Sequence, residues 1–313
     1  MMKMRNIVTK YSFDLKDVKT ILNNKSGVRS FFLGDYTLNP YMGCSFDCSY
    51  CYVNGSKYVN QTSSLTVKSN ACEILRTKLK NKAKNGERAV MILGSATECY
   101  MPIEKELGLT RDILKIINRF RFAVHIITKS DLILRDIDIL KKIQKSAILP
   151  QDIVVKYKGN ENELYKLKAI LTFSFSTTDD KIAKIFEYNT PRPSKRLKTI
   201  KRLKKEGFLT GVSLMPTLPF ISDTEEGLNK IFSDFKKYDV DYIIHGSLTL
   251  FGDSSNHSKA RYLGLLKEYC PEIYEKTAKM FQKKDNLSKI YQKELNERVF
   301  RIAKNFNIKV SII

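Results

Sequence analysis

Cys44, Cys48 and Cys51 stand in the order Cys-x3-Cys-x2-Cys inside the string NPYMGCSFDCSYCYVN, residues 39–54. Three thiolates in one tight loop can grip three corners of a cubane [4Fe–4S] cluster, because soft sulfur ligands suit iron–sulfur sites. The loop supplies no fourth cysteine, so one iron is left open to an exogenous ligand. Electron-transfer clusters usually have all four corners closed by protein, and an open corner points to chemistry instead. A zinc site is the competing reading. The three cysteines with Cys72, Cys99 or Cys270 would make a tetrahedral set, and the chain would then be a zinc-stabilised nucleic-acid-binding module without catalysis. Zinc ribbons usually use two Cys-x2-Cys knuckles, whereas only Cys48 and Cys51 form one here. Disulfides do not suit this spacing in a chain without a secretory signal.

The loop resembles that of the radical S-adenosylmethionine (radical SAM) superfamily, with aromatic Tyr50 just before the third cysteine. The wider string is similar to the spore photoproduct lyase-like branch, often labelled "DNA repair photolyase", which reads N-P-Y-x-G-C-x-H-x-C-x-Y-C-Y-A-R. Asn39, Pro40, Tyr41, Gly43, Tyr50 and Tyr52 match it. Phe46 stands in place of the His, and Val53-Asn54 in place of Ala-Arg. The resemblance implies a [4Fe–4S] cluster on Cys44, Cys48 and Cys51, and S-adenosylmethionine chelated at the open iron. It also implies reductive cleavage to methionine and a 5′-deoxyadenosyl radical. The electron would come from a donor such as flavodoxin or ferredoxin, and the protein's part would be to orient and shield the cofactors.

Further site residues follow from the same resemblance. LGSATECYMPIEK, residues 93–105, is similar to the branch string G-S-x-T-D-P-Y-Q-P-x-E. Gly94, Ser95 and Thr97 would hold the amino group of S-adenosylmethionine, since small residues let acceptor carbonyls approach a cation. Lys129, in a T-K-S string, would meet the cofactor carboxylate as a point charge. Ser174 and Ser176, two apart on a strand, resemble contacts to the ribose and carboxylate. Arg196 in PRPSKRL is a candidate bidentate clamp on that carboxylate. Tyr50 would pack on the adenine, and Tyr52 and Tyr41 would line the radical's cavity. Spore photoproduct lyase proper has a hydrogen-donating cysteine just before the Thr of the first of these strings. Ala96 stands there, and Cys99 is the candidate substitute. His125 reads as core and His257 as exposed, while His245 could face the cavity.

The elements that must position these residues alternate. Apolar runs at 89–93, 122–128 and 169–176, with 36–41, 212–215 and 241–245, read as strands. Helical spacing at 67–84, 109–120, 131–143 and 194–206 fills the gaps. Such βα units argue for a parallel sheet, with polar residues on the strand-to-helix turns where a βα barrel places its active site. Six units predict an α/β fold: a partial (β/α)6 TIM-type barrel with a C-terminal helical extension. The expected organisation is a lead-in over 1–35 with a short helix at 14–22, the radical SAM domain over 36–252, and helices over 253–313 broken at Pro271. Residues 146–168 are expected to form a small hairpin or flap.

The 42% hydrophobic content is that of a soluble globular protein. No run approaches the ~18 apolar residues of a membrane span, and the N-terminal residues lack an apolar signal core, so a cytoplasmic protein with no membrane partner is expected. The net charge of +22, from 55 basic and 33 acidic side chains, suits a nucleic-acid partner or substrate. It equally suits lysine enrichment by an AT-rich genome, in which case the substrate would be a peptide, protein or small molecule.

Overall fold

A computed structural model describes residues 12–24, 32–56, 64–282 and 284–312. Ten strands are named here in chain order: β1 (Phe13–Lys16), β2 (Leu22–Asn24), β3 (Tyr36–Leu38), β4 (Tyr41–Met42) and β5 (Leu65–Lys68), then β6 (Val90–Leu93), β7 (Ala123–Thr128), β8 (Ala169–Phe175), β9 (Leu209–Thr217) and β10 (Tyr242–Ser247). The main sheet has seven strands in the order β10-β9-β8-β7-β6-β3-β2. Every pairing from β3 to β10 is parallel, and only β2 runs antiparallel to its neighbour. The six parallel strands with their crossover helices form the expected partial barrel.

Burial explains the strand sequences. β6 and β7 are buried at every position, which is why they read as unbroken apolar runs rather than alternating ones. The helices cover the outer face through one stripe each: Leu109–Arg119 buries Ile113, Leu114, Ile116 and Ile117. Inside the curve runs a buried polar chain. His125 Nε2 lies 2.6 Å from Thr172 Oγ1, which lies 2.6 Å from the Tyr242 hydroxyl. The Tyr242 ring fits because its cross-strand partner is Gly211, where a Cβ would come within 2.1 Å of the ring. The outer edge of β10 is met by the C-terminal segment, with Ile243 N donating to Lys309 O at 2.8 Å. Among the described residues no helix is long and apolar enough to cross a membrane.

Three local expectations are corrected. The helix expected over 14–22 is instead β1, a turn and β2; β1 pairs in parallel with β5, Phe13 opposite Leu65. The intervening chain is held by Asn70, which accepts from Val18 N at 2.9 Å and donates to Val18 O at 3.1 Å. The helix expected from 67 begins at Ala71, because the residues before it form β5. Residues 146–168 hold two short helices, Gln151–Lys156 and Glu161–Lys166, instead of a hairpin or flap. Asn160 caps the second by accepting from Glu163 N, and Ile153, Leu164 and Leu167 anchor the segment in the core. The helices after residue 253 do break at Pro271, giving Ser258–Tyr269 and Pro271–Met280 before Lys289–Phe306. Residues 1–11 and 25–31 of the expected lead-in lie outside the described residues.

Candidate functional site

A cavity of about 1080 Å³ opens at the C-terminal ends of the parallel strands. The three cysteines of the loop line it, all as free thiols. Their loop is built from tight turns: Cys51 N donates to Cys48 O at 3.0 Å, and Asn54 N to Cys51 O at 2.9 Å. Gly43 and Asp47 take positive φ, +78° and +45°, a conformation natural to glycine and tolerated by aspartate. Burial pushes all three thiols up, Cys44 to about 11, so without a metal they stay protonated at neutral pH. A soft metal that replaces those protons suits this donor set.

Among the described residues no group of three His, Cys, Asp or Glu side chains converges to hold a single metal ion. A tetrahedral zinc site requires such convergence, whereas the cysteines of a cubane ligate three different irons and stand further apart. Cys99 is fully buried in the main core, Cys72 is partly buried against it, and Cys270 is buried in a separate apolar cluster that also holds Cys48 and Tyr50.

Strand ends supply the rest of the lining. Gly94, at φ +81°, ends β6 where a Cβ would fall 2.0 Å from Ile127 O, so only glycine lets the turn lie this close to β7. Ser95 O accepts from the Tyr52 hydroxyl at 3.0 Å, and the Thr97 hydroxyl donates to Gly43 O, tying this turn to the cysteine loop. Lys129 Nζ donates to Ser174 Oγ at 2.9 Å and lies 5.9 Å from the centre of the Tyr50 ring. Gly94, Ser95, Thr97, Lys129, Ser174, Tyr50 and Tyr52 all reach the cavity.

Glu98 also lines it and was not picked out from the sequence. Its carboxylate is buried and accepts from Tyr100 N (2.8 Å), Thr128 Oγ1 (2.6 Å) and Lys129 N (2.8 Å). Burial pushes the carboxyl up despite these three donors. The available signal was an acidic residue directly after Thr97 at a strand exit, where the branch string has Asp.

Five sequence candidates lie elsewhere. Arg196 is fully buried, and its guanidinium is spent inside the protein: Nε donates to Pro191 O at 2.7 Å, Nη1 to Ser174 O at 3.0 Å, and Nη2 pairs with Glu187 and Thr190. It offers no open fork to a cofactor carboxylate. Ser176 donates to Glu187 at 2.8 Å and is buried outside the cavity lining, so it does not share Ser174's exposure to the site. Cys99 lies beneath the Gly94 turn, fully buried, and cannot hand a hydrogen atom to the cavity. Tyr41, buried with its hydroxyl donating to Glu104, and His245, edge-on to Phe300 at 6.0 Å, also stand outside the lining.

Behind the cavity wall Arg196 and Ser176 belong to one network centred on Glu187. Glu187 accepts from the Tyr50 hydroxyl, Ser176 and Arg196. Burial alone would raise its carboxyl, but Arg196 and then Lys129 outweigh burial and hold it down to about 2. Tyr50, the aromatic between the second and third cysteines, is thereby fixed by an ionised carboxylate.

No family model matches the chain. Among curated proteins it is 31% identical over 206 residues to an uncharacterized protein of Methanocaldococcus jannaschii, covering 64% of this chain and 68% of the other. It is 22% identical over 280 residues to an uncharacterized protein of Mycobacterium tuberculosis, covering 87% and 75%. Among solved structures the fold is that of spore photoproduct lyase. A complex with dinucleoside spore photoproduct gives a TM-score of 0.64 at 14% identity over 94% of this chain and 79% of that one. A mutant with bound S-adenosylmethionine and the same dinucleoside gives 0.65 at 14% identity over 98% and 83%. In motif and in fold together, the chain resembles radical SAM proteins of the spore photoproduct lyase kind.

Proposed function

The chain belongs to one family with the uncharacterized protein of Methanocaldococcus jannaschii, and from the cysteine loop and the fold we propose that it is a radical SAM enzyme. It would cleave S-adenosylmethionine reductively to a 5′-deoxyadenosyl radical. The observation that carries this reading is the placement of three free cysteines around one cavity at the C-terminal mouth of a six-strand parallel barrel. A [4Fe–4S] cluster on Cys44, Cys48 and Cys51 supplies, when bound, an open iron for the cofactor's amino and carboxylate groups and the electron for C–S cleavage.

The chain's own residues bind and orient. Gly94, Ser95 and Glu98 line the cavity, so their carbonyls and the Glu98 carboxylate are the acceptors we assign to an ammonium group. Lys129 presents a cation beside Ser174, suited to a carboxylate. The Tyr50 ring, locked through Glu187, forms a rigid wall for an adenine. Lying at the cavity, Tyr52 is the nearest candidate for a group that meets the substrate radical. The electron would come from a small redox protein such as flavodoxin or ferredoxin.

Charge distribution favours a nucleic-acid substrate over a peptide or small molecule. Asp47, Glu98, Lys129 and Arg261 line the cavity, two of each sign, so the excess of +22 lies outside it. The helix Pro193–Lys205 alone exposes Lys195, Lys198, Lys201, Arg202 and Lys205, an outer surface suited to phosphates.

The test is anaerobic reconstitution, reduction and assay of 5′-deoxyadenosine. Wild type should take up about four irons and turn brown, and Cys48→Ala should lose product formation at least a hundredfold. A colourless, zinc-loaded protein would sink the reading. Salt-dependent binding to single- and double-stranded nucleic acid tests the substrate class; negligible affinity at moderate salt would turn it toward a peptide or small molecule.

A further inference from the structure

The cysteine loop is not held by the barrel alone; its outer side is gripped by the segment that follows β10. Arg261, in the first turn of the helix Ser258–Tyr269, donates to both carboxylate oxygens of Asp47, at 2.7 and 2.8 Å, and to the Asp47 carbonyl at 3.2 Å. Asp47 lies between the first two cysteines at φ +45°, a left-handed turn that aspartate tolerates and that the three Arg261 contacts pin from outside. A cation in the first turn of a helix opposes the helix dipole, and no acidic residue shares that turn. The carboxylate of Asp47 accounts for the arginine there.

Three further contacts act on the same loop. Past the third cysteine, Asn54 O accepts from Ser258 N at 3.1 Å. Gly55 and Gly252, both at positive φ, close on the ring of His257; a Cβ would stand 3.0 Å from it at Gly55 and 2.0 Å at Gly252. On the inner side, Ser49 N donates to Phe186 O at 2.9 Å, and the Phe186 ring packs on Tyr262 of the same helix, 5.0 Å between centres.

We propose that the helix Ser258–Tyr269 is a structural part of the cluster cradle and that Arg261 is a positioning residue, holding the loop in the shape its three thiolates need. This rests on the radical SAM reading above. The experiment compares wild type, Arg261→Lys, Arg261→Ala and Arg301→Ala after anaerobic reconstitution. Arg301 makes a similar two-pronged pair with Glu225, on an exposed surface, and serves as the control. Readouts are iron and sulfide per chain, the rate of iron loss to a chelator, and thermal melting of the metal-free proteins. Arg261→Ala should lose iron about tenfold faster than wild type, as expected for loss of one charge-assisted bidentate pair, with metal-free melting close to wild type. Arg261→Lys, which keeps the charge but not the fork, should fall between, and Arg301→Ala should match wild type. Iron loss from Arg261→Ala at the wild-type rate would overturn the proposal. If that variant does not fold, a wild-type rate for Arg261→Lys overturns it equally. A wild type that takes up no iron is a different result: it sinks the cluster reading, and this proposal with it.

Discussion

Arg196→Met separates two roles for the arginine, because they predict opposite measurements. The structure buries both Arg196 and Glu187 completely and pairs them. Replacing the guanidinium with an apolar side chain removes the donors to Pro191 O, Ser174 O, Thr190 and Glu187. It leaves a buried carboxylate without its counter-ion. Breaking a buried pair in this way costs about 3–5 kcal/mol, against a total stability of about 5–15 kcal/mol for a domain. With a urea slope of about 3 kcal/mol/M, the midpoint should fall by on the order of 1–1.7 M. The loss should also depend on pH. In wild type, burial is outweighed chiefly by Arg196, and Glu187 sits at about 2. Its contribution is therefore complete above the usual carboxylate range and lost only as pH falls through about 2. In the variant burial dominates and the carboxyl rises, so its contribution is whole only below the usual carboxylate range and is lost as pH climbs from there through the raised value. Urea unfolding of the metal-free variant should accordingly show a larger deficit at pH 8 than at pH 5. A wild-type midpoint at both pH values, combined with weaker S-adenosylmethionine binding in the reconstituted protein, would refute this account and restore Arg196 as a clamp on the cofactor.

Two other perturbations test the barrel. Burial pushes His125 down to about 4, and His245 likewise. Each is neutral in the folded protein but protonates below about 6.5 when unfolded, so stability should fall as pH drops from 6.5 to 4. His125→Asn should flatten the melting temperature–pH slope in that window by about half, leaving the His245 share; an unchanged slope would refute the assignment. Gly94→Ala would place a methyl 2.0 Å from Ile127 O at φ +81°. Backbone strain and overpacking together should cost about 2–4 kcal/mol in urea unfolding, and a cost under 1 kcal/mol would show that the turn can move away from β7.

The strands were legible because parallel strands buried on both faces must be continuously apolar, as at β6, β7 and β8. What lay hidden was set by partners remote in sequence. β1 is a strand because Leu65 and its neighbours lie alongside it, and nothing local to residues 13–16 announces that pairing over the helical alternative. The serines of β8 show how the period-two rule fails at a strand end. Ser174 meets Lys129 while Ser176, just past the last residue of the strand, turns to Glu187. Alternation holds only while the ladder does.

The site divides along the same line. The three cysteines and Tyr50, on one short loop, and Gly94, on a strand-end turn, line the cavity, and their spacing and resemblance were visible in the sequence. Arg196 could not be placed, because whether an arginine fork meets a cofactor or an internal carboxylate depends on Glu187, and the sequence gives that glutamate no mark that separates it from a solvated one. Arg261 is the extreme case, standing 214 residues from the aspartate it holds. In the sequence it is one cation among 55 basic side chains, and only the fold brings it to the cysteine loop. A basic surface therefore conceals its functional cations well: the informative ones are those that have a built-in carboxylate partner near the thiolates.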